Sequence, residues 1–215
     1  MDDIVAIDGP AGSGKSTVAK LAARKLSFTY VDTGAMYRAV TLKAIREGIN
    51  LEDESALIAL AQHVELDITN DKKGELKVFL NNEDVTGLIR TPELTAKVAY
   101  IARVKDVRKE MVHLQQRIGK RGKCIFEGRD ITTVVFPQAK YKFYLDANLK
   151  ERAKRRHKDL KDVMLEDVEK DIAIRDHHDK TRQAGPLRRA DDALYIDTTE
   201  LSIEEVVDKV CSYIK

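Results

Sequence analysis

Three things are scarce in this chain, namely long apolar runs, cysteine and net charge, and each scarcity removes a class of function. No segment approaches the roughly 18 uninterrupted apolar residues of a membrane span, and Met1-Asp2-Asp3 enters the apolar run Ile4 to Ile7 without a cationic leader. We therefore expect a cytoplasmic protein with no membrane partner. The two cysteines, Cys124 and Cys211, lack metal-type spacing and read as free packing thiols. None of the five histidines has ligand spacing either, so no transition metal is expected. Lys and Arg number 38 against 36 Asp and Glu, a net charge of +2, so any anion site must come from local clustering. Acids interleave the bases of the densest basic stretch and no aromatics accompany them, which argues against a nucleic-acid partner.

What is present alternates short β-rich runs with longer helical patterns, and this predicts an α/β protein with a parallel sheet covered by helices. Five runs qualify as strands: Ile4 to Ile7, Phe28 to Val31, Cys124 to Phe126, Lys142 to Leu145 and Ala193 to Ile196. Ser16 to Leu26 places Val18, Leu21, Ala22 and Leu26 on one helical face, and Ser202 to Glu205 reads as a capping box ahead of a second such stripe. Two stretches break the alternation. Val64 to Leu80 has period two around Asn70-Asp71-Lys72-Lys73-Gly74 and predicts an inserted antiparallel hairpin. Lys150 to Arg189 holds two charged helical patterns, placed where a lid over a site would sit.

The sharpest signal is Gly9-Pro10-Ala11-Gly12-Ser13-Gly14-Lys15-Ser16, which matches the phosphate-binding pattern G-x-x-x-x-G-K-[ST] between an apolar strand and an amphipathic helix. Its glycines let backbone N–H groups turn toward an anion, and the following helix adds its positive end. Lys15 is expected on the β- and γ-phosphates of ATP, the Ser16 hydroxyl on Mg²⁺, and Thr17 near the α-phosphate. No Asn-Lys-x-Asp guanine-reading motif occurs, and no apolar strand ends in the Asp-Glu pair of motor ATPases. Asp32 to Arg38 and Glu127 to Asp130 follow the second and third strands instead. In a doubly wound sheet the carboxyl ends of strands share one crevice, so both should face the phosphate loop. Arg38 and Arg129 offer planar forks for a second phosphate, while Asp32, Glu127 and Asp130 can orient an acceptor or the metal's waters.

Asp32-Thr33-Gly34-Ala35-Met36-Tyr37-Arg38, Glu127-Gly128-Arg129-Asp130 with Thr133 to Pro137, and Pro186-Leu187 through Ala190 to Ala193 and Ile196 to Thr199 resemble the bacterial cytidylate kinases over nearly the whole chain. The resemblance implies an ATP- and Mg²⁺-dependent kinase for CMP and dCMP. It implies a single P-loop kinase domain with a doubly wound five-stranded parallel sheet and helices on both faces. The core would comprise about 1–60, 121–148 and 190–215, with an acceptor-binding insertion at about 61–120 and a lid and following segment at about 149–189. It places Thr33, Tyr37, Arg38 and Arg129 on the acceptor phosphate, and Arg108 and Asp130 on the cytosine. Arg175, Asp179 and Arg182 would contact sugar and phosphates, and Arg152 and Arg156 would be lid arginines. Lys15, Arg129, Arg156 and Arg182 would carry the transferring charge. Two departures stand out: Ala99 lies where a base-contacting serine is common, and Lys105 where a proline is common. The partners expected are small nucleotides, acting on a monomer. A uridylate or metabolite kinase and a P-loop nucleotide switch are the competing readings.

Overall fold

A computed structural model describes residues 3–158, 160 and 163–214. Five strands, β1 (Ile4–Asp8), β2 (Thr29–Asp32), β6 (Cys124–Gly128), β7 (Tyr141–Asp146) and β8 (Leu194–Asp197), form one parallel sheet in the order β2-β6-β1-β7-β8. All five are the strands expected, shifted by a residue or two at their ends. Every residue of β1 and β6 is buried. Successive side chains of a strand point to opposite faces, so continuous burial means that both faces of the sheet are covered. The cover includes α1 (Lys15–Leu26) packed on α8 (Ile203–Tyr213), and α2 (Thr33–Arg46) packed against α4 (Pro92–Ala102). α8 opens with the capping box expected at Ser202 and Glu205.

After α2 the chain forms α3 (Glu54–Gln62) and then the expected hairpin, β3 (Leu66–Asn70) and β4 (Leu76–Leu80). Leu66, Ile68, Leu76, Val78 and Leu80 alternate into the core, while Asp71 accepts from the amides of Lys73 and Glu75 to close the turn. A third short strand, β5 (Glu83–Asp84), was not foreseen. Its signal is Asn81-Asn82, both left-handed at φ 48° and 65°, the two-residue turn that asparagine tolerates. The Asn70 side chain donates to the carbonyl of Tyr30 and accepts from its amide at 2.6 Å, tying the hairpin to the edge strand β2.

α4 and α5 (Lys105–Gly119) meet at a bend around Arg103 and Val104. Val104 is extended at φ −76° and ψ 114°, and Lys105 is exposed at the first position of α5, whose N-cap offers no side-chain hydrogen bond. That geometry suits a proline, whose fixed φ matches the first helical turn and whose neighbour must be extended. Lys105→Pro is expected to stabilise the fold by about 0.5–1 kcal/mol, read as a higher urea midpoint at unchanged slope. The two helical patterns between β7 and β8 are α6 (Leu149–His157) and α7 (Leu165–Thr181), packed on each other through Ala153, Val168 and Ile172. Among the described residues no helix is long and apolar enough to cross a membrane.

Candidate active site

β1 lies at the sheet's switch point, because its own connection runs toward β2 while its neighbours β6 and β7 lead the other way. The phosphate loop leaves β1 there. Gly12 is left-handed at φ 77°, and a Cβ on it would lie 2.8 Å from the carbonyl of Arg152, so both backbone freedom and space require glycine. Lys15, at the start of α1, is buried, with Nζ 3.1 Å from the carbonyl of Pro10 and 4.0 Å from Glu127 Oε2. The Ser16 hydroxyl donates to Glu127 Oε1 at 2.7 Å, and the Tyr30 hydroxyl donates to the same oxygen at 3.2 Å. Burial and then the Asp32 charge push Glu127 upward against the pull of Lys15. Burial and the Arg129 charge bring Lys15 down to about 7. A lysine so easily discharged marks a site short of negative charge.

Asp32 caps α2 by accepting from the Ala35 amide at 2.9 Å, and its other oxygen holds Arg38 at 2.8 Å. Thr33 donates to the Glu127 carbonyl at 2.8 Å, bringing the first turn of α2 against the end of β6. Only glycine fits at 128, since a Cβ there would lie 2.6 Å from the Thr33 hydroxyl. Beyond it Arg129 Nε donates to Asp179 at 2.8 Å, and Asp130 pairs with Arg108, whose guanidinium lies 5.4 Å from the Tyr37 ring centroid. Arg182 stands 3.5 Å from Asp179 and 3.8 Å from Asp130, and bonds the Gly185 carbonyl at 2.6 Å. Arg175 is brought down to about 10 by Arg129 first, then by desolvation and by the charges of Arg38 and Arg156. Arg38 Nε is buried without a hydrogen-bond partner. Crowded cations and an unused buried donor are what an anion site requires.

The structure links Arg108, Asp130, Arg182, Asp179 and Arg129 into one chain of charge pairs, pairs Asp32 with Arg38, sets Thr33 on Glu127 and Tyr37 beside Arg108, and brings Arg175 close enough to feel Arg129 and Arg38, all near Lys15 and Ser16. Arg156 is exposed on α6, close enough to depress Arg175. Arg152, expected as a lid arginine, is instead held in place by its neighbours. It is 7% exposed, and its guanidinium bonds the carbonyls of Ala147 and Ala11 and the Asp176 carboxylate at 2.9, 3.0 and 2.6 Å. Three fixed acceptors make it a strut between the phosphate loop and α7. Arg155, which drew no attention in the sequence, bonds Thr198, whose hydroxyl reaches the Ser13 carbonyl at 3.1 Å. Tyr30 and Asp8 were missed too, because a tyrosine and an aspartate inside strand runs carry no motif of their own. His177 and His178 lie exposed on α7.

The sequence pattern of the family described as cytidylate kinase matches residues 5–215. A cytidylate kinase of Geobacillus sp. is 48% identical over 212 residues, covering 96% of this chain and 93% of that protein. One of Bacillus subtilis is 49% identical over 210 residues, with coverage of 96% and 93%. An uncharacterized protein of Eubacterium ventriosum shares the fold at a TM-score of 0.54 and 13% identity, over 100% of this chain and 98% of its own. With a family pattern spanning the sheet, the insertion and the segment around α7 alike, the chain belongs to the cytidylate kinase family.

Proposed function

We propose that the protein transfers the γ-phosphoryl group of ATP to CMP and dCMP. The observation that carries this reading is the second cationic cluster, Arg38, Arg129, Arg175 and Arg182, near Lys15 at the carboxyl ends of the central strands. A nucleotide switch has no use for a second phosphate site. The phosphate loop holds the ATP phosphates through its backbone amides and Lys15. Arg38 and Arg129 hold the acceptor phosphate, Thr33 and Tyr37 shape its pocket, and Arg108 with Asp130 reads the cytosine. Asp179 orients the sugar, while Arg175 and Arg182 share the phosphate charge, and the α6–α7 pair with Arg156 closes over the nucleotides. The acceptor's own phosphate oxygen is the nucleophile, so the protein contributes positioning and charge neutralisation and no covalent intermediate.

Mg²⁺ suits this site, because Ser16 and the buried Glu127 present a hydroxyl and a carboxylate in direct contact, and hard cations take oxygen ligands. Ser16 would hold it with Glu127 beside it, and the ion would neutralise charge on the phosphates. The family's other members act on small nucleotides as their name says, and the mononucleotide panel tests the reading directly. With ATP and Mg²⁺, CMP and dCMP are expected to drive ADP release well above UMP, AMP and shikimate. ADP release that no acceptor raises would overturn the proposal. Ala99 is exposed on α4 and offers the base no hydroxyl, so a UMP rate equal to that of CMP would locate relaxed base reading there.

Lys15 gives the reading a pH signature. Near pH 7 it is about half discharged, and the phosphates of ATP favour its charged form. Below pH 7 the proton is already present and affinity is flat. Above pH 7 binding must take a proton up, so affinity falls by up to about tenfold per pH unit. Calorimetry at pH 8 in buffers of different ionisation enthalpy should show uptake approaching one proton, shrinking toward zero at pH 6.

A further inference from the structure

Asp8, the last residue of β1, is fully buried and takes no part in the mechanism above. Its carboxylate reaches across to the loop after β6. Oδ1 accepts from the Ile131 amide at 2.9 Å, and Oδ2 accepts from the Thr132 amide at 2.8 Å and the Thr132 hydroxyl at 2.6 Å. Ile131 and Thr132 are themselves buried, and they open a single wide turn in which the Val135 amide bonds the Asp130 carbonyl and the Phe136 amide bonds the Ile131 carbonyl. Turns of that kind, with bonds five residues apart, are rare and recur at functional sites.

The placement matters more than the bonds. Immediately after Asp8 comes the phosphate loop; immediately before Ile131 come Arg129 and Asp130. Asp8 pairs in register with Gly128 on one side and Tyr144 on the other, so it stands where the strand that leads to the phosphate loop lies directly beside the strand that leads to Arg129. Burial lifts it to about 6 against the pull of its three donors, and the neighbouring acid Asp130 adds a smaller push in the same direction. Among the described residues it forms no ion pair, and a buried carboxylate of that kind is an expensive way to tie a loop down. What it supplies is a rigid two-oxygen anchor for three converging donors, which a neutral amide cannot match because its nitrogen would face one of them.

We infer that Asp8 is a positioning residue for phosphoryl transfer: by holding Ile131 and Thr132 it sets Arg129 and Asp130, and so the acceptor phosphate, at a fixed distance from the phosphate loop. This rests on the kinase reading. In-line transfer is sensitive to displacements near 1 Å, so loosening the tie should harm alignment before it harms binding of ATP. Three variants test it: Asp8→Asn, which turns an amide toward the donors; Thr132→Val, which removes one donor at nearly constant shape; and Thr132→Ser, which keeps the hydroxyl.

The readouts are KM for each nucleotide, kcat, and the ratio of ADP to CDP formed. Asp8→Asn is expected to lower kcat about 100-fold and raise KM for CMP about tenfold, with KM for ATP within about twofold of wild type. Thr132→Val should lower kcat about three- to tenfold, and Thr132→Ser should restore it. In both impaired variants the ADP to CDP ratio should rise above one, as water takes the place of a misaligned acceptor. A residue that merely stabilises the fold changes the active fraction and leaves KM for CMP and the product ratio alone. That result in Thr132→Val, a variant that keeps the carboxylate and its backbone donors, overturns the inference even if Asp8→Asn does not fold. Wild-type protein that makes no CDP overturns the kinase reading as well, whereas wild-type protein that makes CDP beside unchanged variants overturns this inference alone.

Discussion

Lys15→Met is expected to lower kcat about 1,000-fold, equivalent to about 4 kcal/mol of transition-state stabilisation, while leaving the fold intact. Methionine keeps the length of the side chain and removes the charge that would meet the transferring phosphoryl group. The fold should tolerate the change, because a buried cation already discouraged by burial and by Arg129 is being replaced by an apolar chain. Its hydrogen bond to the Pro10 carbonyl is lost, and Glu127 loses the pull of Lys15 and is pushed further upward. Melting temperature should therefore stay within a few degrees, and ATP binding should lose its proton uptake at pH 8. Full activity in this variant would mean that the phosphate loop works through its backbone alone.

Arg129→Ala is expected to lower kcat/KM for CMP by about 1,000-fold while moving KM for ATP little. Arg129 occupies the centre of the cluster: it bonds Asp179 at 2.8 Å, and its charge depresses both Lys15 and Arg175. Asp179 keeps Arg182 at 3.5 Å, so the variant should fold. Arg129→Lys retains charge but not the planar fork, and should recover no more than about tenfold. A second consequence follows from the same geometry. Without Arg129, Lys15 holds its proton to higher pH, so the inflection in ATP affinity near pH 7 should move upward. An unmoved inflection beside a large loss of activity would separate the acceptor role of Arg129 from its influence on Lys15.

The lysine and the arginine differ in how visible they were. Lys15 sits in a motif whose spacing, flanking strand and flanking helix all belong to one local stretch, so its place was legible in the sequence. Arg129 was legible as a planar fork at a strand end and through the family resemblance, but its pairing was not, because its partner Asp179 lies fifty positions away. The alternation of apolar runs located the five core strands within a residue or two, and period two located the hairpin. The third strand of that hairpin escaped because two residues of pairing leave no periodicity, and only Asn81-Asn82 announced it.

Charged side chains were the least readable part. Arg152 and Arg156 stand one helical turn apart on α6, and nothing local tells them apart. The fold buries Arg152 against Ala11, Ala147 and Asp176 and leaves Arg156 exposed near Arg175. Arg155 between them became a link to Thr198.

By itself, then, the sequence determined the parallel sheet, the phosphate loop, the inserted hairpin and the family. Each of these is written in short-range spacing, in the period of burial or in local backbone demands, which the chain carries wherever it goes. Only the tertiary structure decided that Asp8 would hold Ile131 and Thr132, that Tyr30 and Ser16 would share Glu127, and that Arg152 would become a strut. Those outcomes depend on which strand ends lie side by side, and a buried charge takes whatever partner the packed neighbour presents.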